Sequence, residues 1–415
     1  MREWTRQALG QLVGFQKGRK VEVIAHPSEG FAPYLGAAII SGGDGEYADT
    51  RGAVMATPAD VLMLWDGERS GLVGKGREGV VSSTVARLTP RDGIESEFLY
   101  YALDFKFDWI QGRRTGTGVP HVPKDLGRIL YIDYPTNANE RNTIAEILST
   151  LDEAIEQTEA LIAKTQAIKA GLMHDLFTRG VTVNGELRPP REEAPQLYKA
   201  SPLGWIPKEW SVCRVDEIAI KVTDGDHYTP QRQSSGVYLL SARNVLNDSI
   251  ALDDVDHVGN VEYERMIKRC HPEPGDILIS CSGTIGRTCI VPSWLKCCLV
   301  RSVALIKLDP TLCFPVFIEQ LLQGSLLQRQ IKASQRQAAQ PNLFQGEISA
   351  LLLPTPSLPE QKLCAARLEA INSQHMAECE HRDELDLLRH GLMHDLLTGR
   401  VPVSLPESEA LTADA

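Results

Sequence analysis

Two windows of the chain are rich in groups that can grip a polyanion and free of carboxylates that would oppose them. Residues 109–124 hold Arg113, Arg114 and Lys124 and no acid. Residues 320–345 hold Arg329, Lys332, Arg336, Gln337, Gln340 and Asn342, with the nearest acids outside the window at Glu319 and Glu347. Arg and Lys pair with phosphate oxygens and guanine edges, and Asn and Gln with adenine, so these side chains suit contact with DNA. A solvated helix face carries the same residue types, and the windows alone leave that reading open.

Gly112-Arg113-Arg114-Thr115-Gly116-Thr117-Gly118 reads as a basic loop whose bare backbone could approach phosphates. It lacks the GxxxxGK[ST] spacing of a nucleotide-binding loop. Arg69 and Lys75 flank a second glycine-rich turn. In the second half the candidates are His227, Tyr228, Arg232, Arg243 and Arg287, each of which could equally serve to brace its own loop. His174 and His394 each stand beside an aspartate, which raises metal or acid–base chemistry. No third ligand or second carboxylate recurs with them, and a histidine at a helix end also suits the helix dipole. The nine cysteines all lie at or after Cys213, with no CxxC pair, and adjacent Cys297 and Cys298 are poorly placed to chelate. Reduced thiols are the expectation. The sequence holds no NPPF or DPPY motif of adenine methyltransferases, no Walker sequence and no nuclease-like carboxylate–lysine cluster.

These groups must be positioned by a duplicated framework. Gly171-Leu172-Met173-His174-Asp175-Leu176 recurs as Gly391-Leu392-Met393-His394-Asp395-Leu396, 220 residues later. Trp4 with Leu9 and Leu12 is echoed by Trp210 with Val215 and Ile218. Asp60-Val61-Leu62-Met63-Leu64 is echoed by Asp276-Ile277-Leu278-Ile279-Ser280, and residues 85–90 by 304–310. A duplicated chain can set two similar modules in the two-fold arrangement that reads symmetric DNA sites.

Residues 1–135 mix short strand-like runs, notably 61–65 and 80–85, with glycine-rich turns. Residues 97–110 predict a helix with Phe98, Tyr101, Phe105 and Trp109 on one face, better suited to core packing than to base stacking. From Asn139 the period changes. Ile144, Leu148, Leu151, Ile155, Ile162, Ile168, Leu172 and Leu176 recur near coiled-coil spacing, interrupted by Thr158 and Thr165. About 37 helical residues would span roughly 55 Å at about 1.5 Å each. A second long helix is predicted over 360–397, with Leu363, Ala370, Leu385, Leu388, Leu392 and Leu396 on its seam and Gln374 and His381 weakening its middle. Antiparallel pairing of the two helices follows as an expectation.

The formal charge of −11 argues superficially against nucleic acid, but both modules are close to neutral. Most of the excess sits in the helical runs, the linker and the acidic tail, so DNA binding with help from a partner is expected. Composition is that of a globular protein, no apolar run nears the roughly 20 residues of a membrane span, and the N-terminus lacks a signal peptide's apolar core. A cytoplasmic location without membrane contact is expected.

Several segments resemble the specificity subunit of type I restriction–modification enzymes. Gly204-Trp205-Ile206-Pro207-Lys208-Glu209-Trp210 is similar to the lead-in to the family's target-recognition domains. Asp224-Gly225-Asp226-His227-Tyr228-Thr229-Pro230 resembles its DGxHxTP turn, and Ser282-Gly283-Thr284-Ile285-Gly286-Arg287 another common segment. Pro359-Glu360-Gln361 and the run from Gly391 to Val401 resemble the two ends of a conserved helix. The first module departs from the pattern: it lacks the Gly-x-Ile-Pro lead-in and the DGxHxTP turn, and Asn137-Ala138-Asn139-Glu140-Arg141 replaces the usual helix entry.

The resemblance implies an α+β chain with two similar target-recognition domains separated by two long antiparallel helices forming a coiled-coil-like rod. The expected order is a first recognition domain (1–138), a long helix (139–182), a linker (183–208), a second recognition domain (209–357), a second long helix (358–401) and a disordered tail (402–415). Each module would read half of a bipartite DNA target. The helices would dock two methyltransferase subunits, through Leu172, Met173, Leu176, Leu392, Met393 and Leu396, with restriction subunits added for cleavage. S-adenosylmethionine, ATP and Mg would act on those partners, leaving this chain non-catalytic and without a cofactor of its own. The rival reading is a repeat-built scaffold whose modules bind peptides and have no DNA specificity.

Overall fold

The computed structural model describes residues 3–40, 42–43, 45–91, 93–116, 118–335 and 342–403. The chain divides into two compact units: unit 1 is Met1–Ala160 with the stretch from Glu380 onward, and unit 2 is Leu161–Cys379. The division passes through both long helices, Ala138–Thr178 and Leu358–Leu397, so each unit owns part of each.

In unit 1 a four-stranded antiparallel sheet runs in the order Val13–Lys17, Val85–Pro90, Val61–Leu64, Val73–Lys75. Val61, Leu62, Met63 and Leu64 are all buried, as a strand covered on both faces requires. A five-stranded sheet containing Phe31–Leu35 and Gly79–Val81 lies beside it in sequence, and Trp4–Ala8 pairs with Tyr131–Pro135. The run expected as one strand over 80–85 is two, Gly79–Val81 and Val85–Pro90, parted by a turn in which Val85 N–H bonds Ser82 O. The aromatic helix is likewise two, Ser96–Asp104 and Phe107–Gln111; Phe98 and Tyr101 sit fully buried in the core, as packing predicts.

Unit 2 repeats this plan. Its first four-stranded sheet has the order Ala219–Asp224, Val303–Leu308, Ile277–Ser280, Thr288–Ile290. A second contains Val237–Leu240 paired in parallel with Cys297–Leu299, and Ser211–Arg214 pairs with Leu352–Thr355. Backbone bonding fixes the repeat's register. Gly18 N–H reaches Val85 O where Gly225 N–H reaches Val303 O, and Arg91 N–H reaches Leu12 O where Asp309 N–H reaches Ile218 O. Val85 therefore matches Val303, whereas superposing the shared prolines at 90 and 310 would pair it with Leu305, two residues further on.

Within each unit the two helical stretches run antiparallel. In unit 1 Arg389 bridges Asp152 at 2.6 Å and Asp104 at 2.9 Å. In unit 2 Thr165 donates to Glu378 at 3.0 Å, while Val181 N–H bonds Glu360 at 2.9 Å. The buried seam is the expected one in part: Ile144, Leu148, Leu151, Leu176 and Leu396 are buried. Ile168, Leu363 and Leu388 are exposed, whereas Thr165, Gln361, Cys364, Ala365, Leu368 and Glu378 are buried. Hydropathy ranks Thr165, Gln361 and Glu378 the other way; hydrogen bonding permits these polar side chains inside.

The repeated hexamers are core elements. Leu176 belongs to the hydrophobic core of unit 2, with Leu172 and Met173 packed against it. Met393 and Leu396 belong to that of unit 1, with Leu392 packed against it. Leu176, Met393 and Leu396 are thus taken up by the chain's own cores, while half-buried Leu172, Met173 and Leu392 keep part of their surface in solvent. The expected linker is also folded: Tyr198–Ser201 and Gly204–Pro207 form a hairpin, and Arg188 is bound by Glu360 within unit 2. Val403 is buried in the unit 1 core, and the tail beyond it lies outside the described residues.

Candidate nucleic-acid interface

In unit 2, strand Ala219–Asp224 ends at Asp224 and the chain turns through Gly225, where a Cβ would come within 3.0 Å of the backbone of Leu299 and Val300. Only glycine lets these backbones approach so closely. The turn presents His227 and Tyr228 to solvent. Asp224 accepts from His227 and Arg269, each at 2.5 Å. Burial opposes ionisation of Asp224, but those two bonds hold its carboxyl below the usual range. Asp226 is bridged by Arg265 at 2.5 Å and caps Tyr228 N–H. The acids of the turn thus serve to fix the cations around it.

Beside this turn lies a cleft of about 420 Å³, lined by Asp224, His227, Ser282, Arg301, Asn342 and Gln345, among others. Leu343 N–H bonds Cys281 O and Cys281 N–H bonds Ser302 O, which aligns Asn342, Ser282 and Arg301 along one wall. His227 and Asn342, chosen from sequence, are brought together here. Arg301, exposed and without an ion-pair partner among the described residues, and Phe344, exposed at the rim, were missed. Arg336, Gln337 and Gln340 lie outside the described residues.

The other unit 2 candidates are dispersed. Arg232 and Arg243 both bind Asp256, at 3.0 and 3.3 Å, by the second sheet. Arg287 is half-buried beside Ser280, and Lys332 is exposed on helix Ser325–Gln335.

The same backbone frame recurs in unit 1. Val122 N–H bonds Trp65 O and Trp65 N–H bonds Thr84 O, matching the two bonds at Leu343 and Cys281. His121 therefore occupies the place of Asn342, Asp66 that of Ser282, and Lys17 that of Asp224. Here Asp66 joins Lys17 at 2.5 Å and His121 at 2.7 Å. His121 also exchanges backbone bonds with Thr115, tying the basic loop to this spot. In that loop Arg113 stacks on Trp109 at 3.9 Å, and Arg114 bonds the carbonyls of Gln111 and Glu68. Lys124 and Arg69 are exposed. Lys75 is drawn elsewhere, to Glu97 at 3.1 Å and Ser149 at 3.2 Å. Lys17, Asp66 and His121 escaped the sequence reading because they are far apart in the chain.

Among the described residues no group of three or more His, Cys, Asp or Glu side chains could hold a metal, and no helix is long and apolar enough to cross a membrane. All nine cysteines are unbridged. Burial pushes the thiols of Cys270, Cys281, Cys297, Cys298, Cys313 and Cys364 up to about 12, which leaves them unreactive near neutrality.

The chain is 25% identical over 411 residues to the MjaVIII type I restriction enzyme specificity subunit of Methanocaldococcus jannaschii, covering 97% of this chain and 93% of that one. It is 22% identical to the EcoBI specificity subunit of Escherichia coli, over 76% of this chain and 67% of that one. Its fold is similar to the crystal structure of a type I restriction–modification S subunit from M. genitalium, with a TM-score of 0.63, 18% identity, and coverage of 95% and 96%. It is also similar, at a TM-score of 0.51 and 17% identity, to a chain from a structure describing complex assembly of a type I restriction–modification system, covering 96% and 98%. The family model for the type I restriction modification DNA specificity domain matches twice, over residues 1–166 and 207–385, each match spanning one of the two repeats whose backbone frames coincide. The chain belongs to the type I restriction–modification DNA specificity family.

Proposed function

We propose that this chain is the DNA specificity subunit of a type I restriction–modification complex, with each unit reading one half of a bipartite target. The observation that carries this is the recurrence of one backbone frame in both units, around a polar cleft in unit 2 and around the Lys17–Asp66–His121 cluster in unit 1, with different side chains at equivalent places. Different residues on a common frame are what two unlike half-sites require. The chain acts in the cytoplasm as a non-catalytic subunit. S-adenosylmethionine, ATP and Mg serve the methyltransferase and restriction subunits that assemble with it.

Half of the hexamers' apolar side chains being buried, two methyltransferase subunits would dock on Leu172, Met173 and Leu392 and on further apolar side chains that the long helices leave in solvent. Leu387 and Leu388 offer these in unit 1, and Ile168 and Met376 in unit 2, at 76, 50, 49 and 54% exposure.

The test is to co-express the chain with its methyltransferase and map modified adenines on host DNA. A split motif of fixed spacing, lost when this chain is omitted, supports the reading. An active methyltransferase in a stable complex that marks no motif would instead favour a scaffold without DNA specificity.

A further inference from the structure

We infer that residues 17–20 of unit 1, with His121, form a DNA-contact site: Arg19 and Lys20 hold phosphates, and His121 reads a base edge. The inference rests on the DNA-specificity reading and assigns that unit's phosphate contacts to residues outside its basic window, with His121 inside it.

The placement comes from the backbone. Gly18 N–H bonds Val85 O at 2.9 Å, as Gly225 N–H bonds Val303 O at 3.0 Å. A Cβ on Gly18 would fall within 3.0 Å of the Val81 and Ser82 carbonyls, the same constraint that Gly225 meets against Leu299 and Val300. Lys17-Gly18-Arg19-Lys20 is thus the structural counterpart of Asp224-Gly225-Asp226-His227, although only the glycine is shared. The first unit does have the turn; it has exchanged acids for bases.

That exchange changes what the turn can do. In unit 2 the turn's carboxylates are spent on Arg269, His227 and Arg265. In unit 1 the cations are on the turn itself, and of these Asp66 engages only Lys17. Arg19 and Lys20 are exposed, with no ion-pair partner among the described residues. Cations so placed release counterions on meeting phosphates and carry no sequence information.

His121 has a different task. Asp66 takes its Nδ1 at 2.7 Å, which orients the ring and leaves Nε2 open. A neutral imidazole donating from Nδ1 presents Nε2 as an acceptor. In the major groove that fits the exocyclic amine of adenine or cytosine. Asn342, at the same backbone position in unit 2, has both a donor and an acceptor and fits adenine.

The experiment uses the full chain in complex with its methyltransferase. Fluorescence anisotropy would follow binding to a duplex carrying the mapped target, to duplexes altered in one half or the other, and to a scrambled duplex, over a salt series. The double variant R19A/K20A should weaken binding to all of them by a similar factor. It should also lower the slope of log K against log salt by roughly 0.9 per lost contact. His121→Ala should lose at least about fivefold discrimination in one half only, and Asn342→Ala in the other half only. An unchanged salt slope in R19A/K20A, or a His121→Ala effect that is absent or equal in both halves, overturns the inference. A wild-type complex that binds target and scrambled duplex alike overturns the DNA-specificity reading itself.

Discussion

Trp210 donates its indole N–H to the Glu360 carboxylate at 3.1 Å, and both lie against Gly180. Trp210 opens the second module, Glu360 the second long helix, and Gly180 closes the first. Arg188 completes the cluster by binding Glu360. Gly180 has φ +64°, and a Cβ there would collide with both Trp210 and Glu360. Gly180→Ala should cost at least about 2 kcal/mol. Glu360→Ala, which leaves the buried Arg188 guanidinium only the looser, exposed Glu209 carboxylate at 3.7 Å, should cost about 3 kcal/mol. Denaturant unfolding of the chain measures both, and wild-type midpoints would show the cluster to be dispensable. Unit 1 has a matching contact, Gly399 against Trp4, so Gly399→Ala should act there in the same sense.

The hexamers lead to a second prediction. Leu176→Ala in unit 2 and Leu396→Ala in unit 1 should each cost about 2–5 kcal/mol in the chain without any partner. Leu387→Ala, at a position 76% exposed, should stay within about 0.5 kcal/mol. Partner-free unfolding curves decide this. A Leu176→Ala chain that is fully stable yet fails to bind methyltransferase would return Leu176 to a docking role.

These contacts show what the sequence made legible. The repeat, both long helices and the strand at 61–64 were visible because identity and apolar spacing are written in neighbouring residues. The helix seams were legible only in part, through Ile144, Leu148, Leu151, Leu176 and Leu396. Thr165, Gln361 and Glu378 are buried through side-chain hydrogen bonds to groups distant in sequence, while Leu363 and Leu388 face solvent. The unit 2 cleft was half legible, through His227 and Asn342. The unit 1 cluster was not, since Lys17, Asp66 and His121 meet only once the sheet has formed.

Glu319 gives a prediction in pH. It is 3% exposed, and its Oε1 accepts from Thr288 at 2.9 Å and Gln323 at 2.5 Å. Burial, and then the charge of nearby Asp248, raises its pKa from 4.5 to about 8. The folded chain therefore keeps a proton that the unfolded chain releases near 4.5. Its contribution to stability is complete below that pH and is lost as pH rises toward 8, by up to about 1.4 kcal/mol per unit. Glu319→Gln should flatten this slope, raising the melting temperature near pH 8 and leaving it little changed near pH 4.5. Parallel melting profiles for the two proteins across that range would exclude Glu319 as the proton-holding group.

The two turn glycines offer the sharpest separation of the half-sites. Gly18 and Gly225 lie against backbone carbonyls, which cannot swing aside as a flexible side chain would. Alanine at either site must displace its turn: Lys17, Arg19 and Lys20 in one unit, Asp224 and His227 in the other. Each lies in a different compact unit with its own core, so the damage should stay local. Gly18→Ala is expected to weaken discrimination in one half of the DNA target and Gly225→Ala in the other, each by tenfold or more, on the order of 1.4 kcal/mol. Modification frequencies at genomic sites with one altered half give the readout. Loss of both halves from either single substitution would mean that the two turns do not act as independent readers.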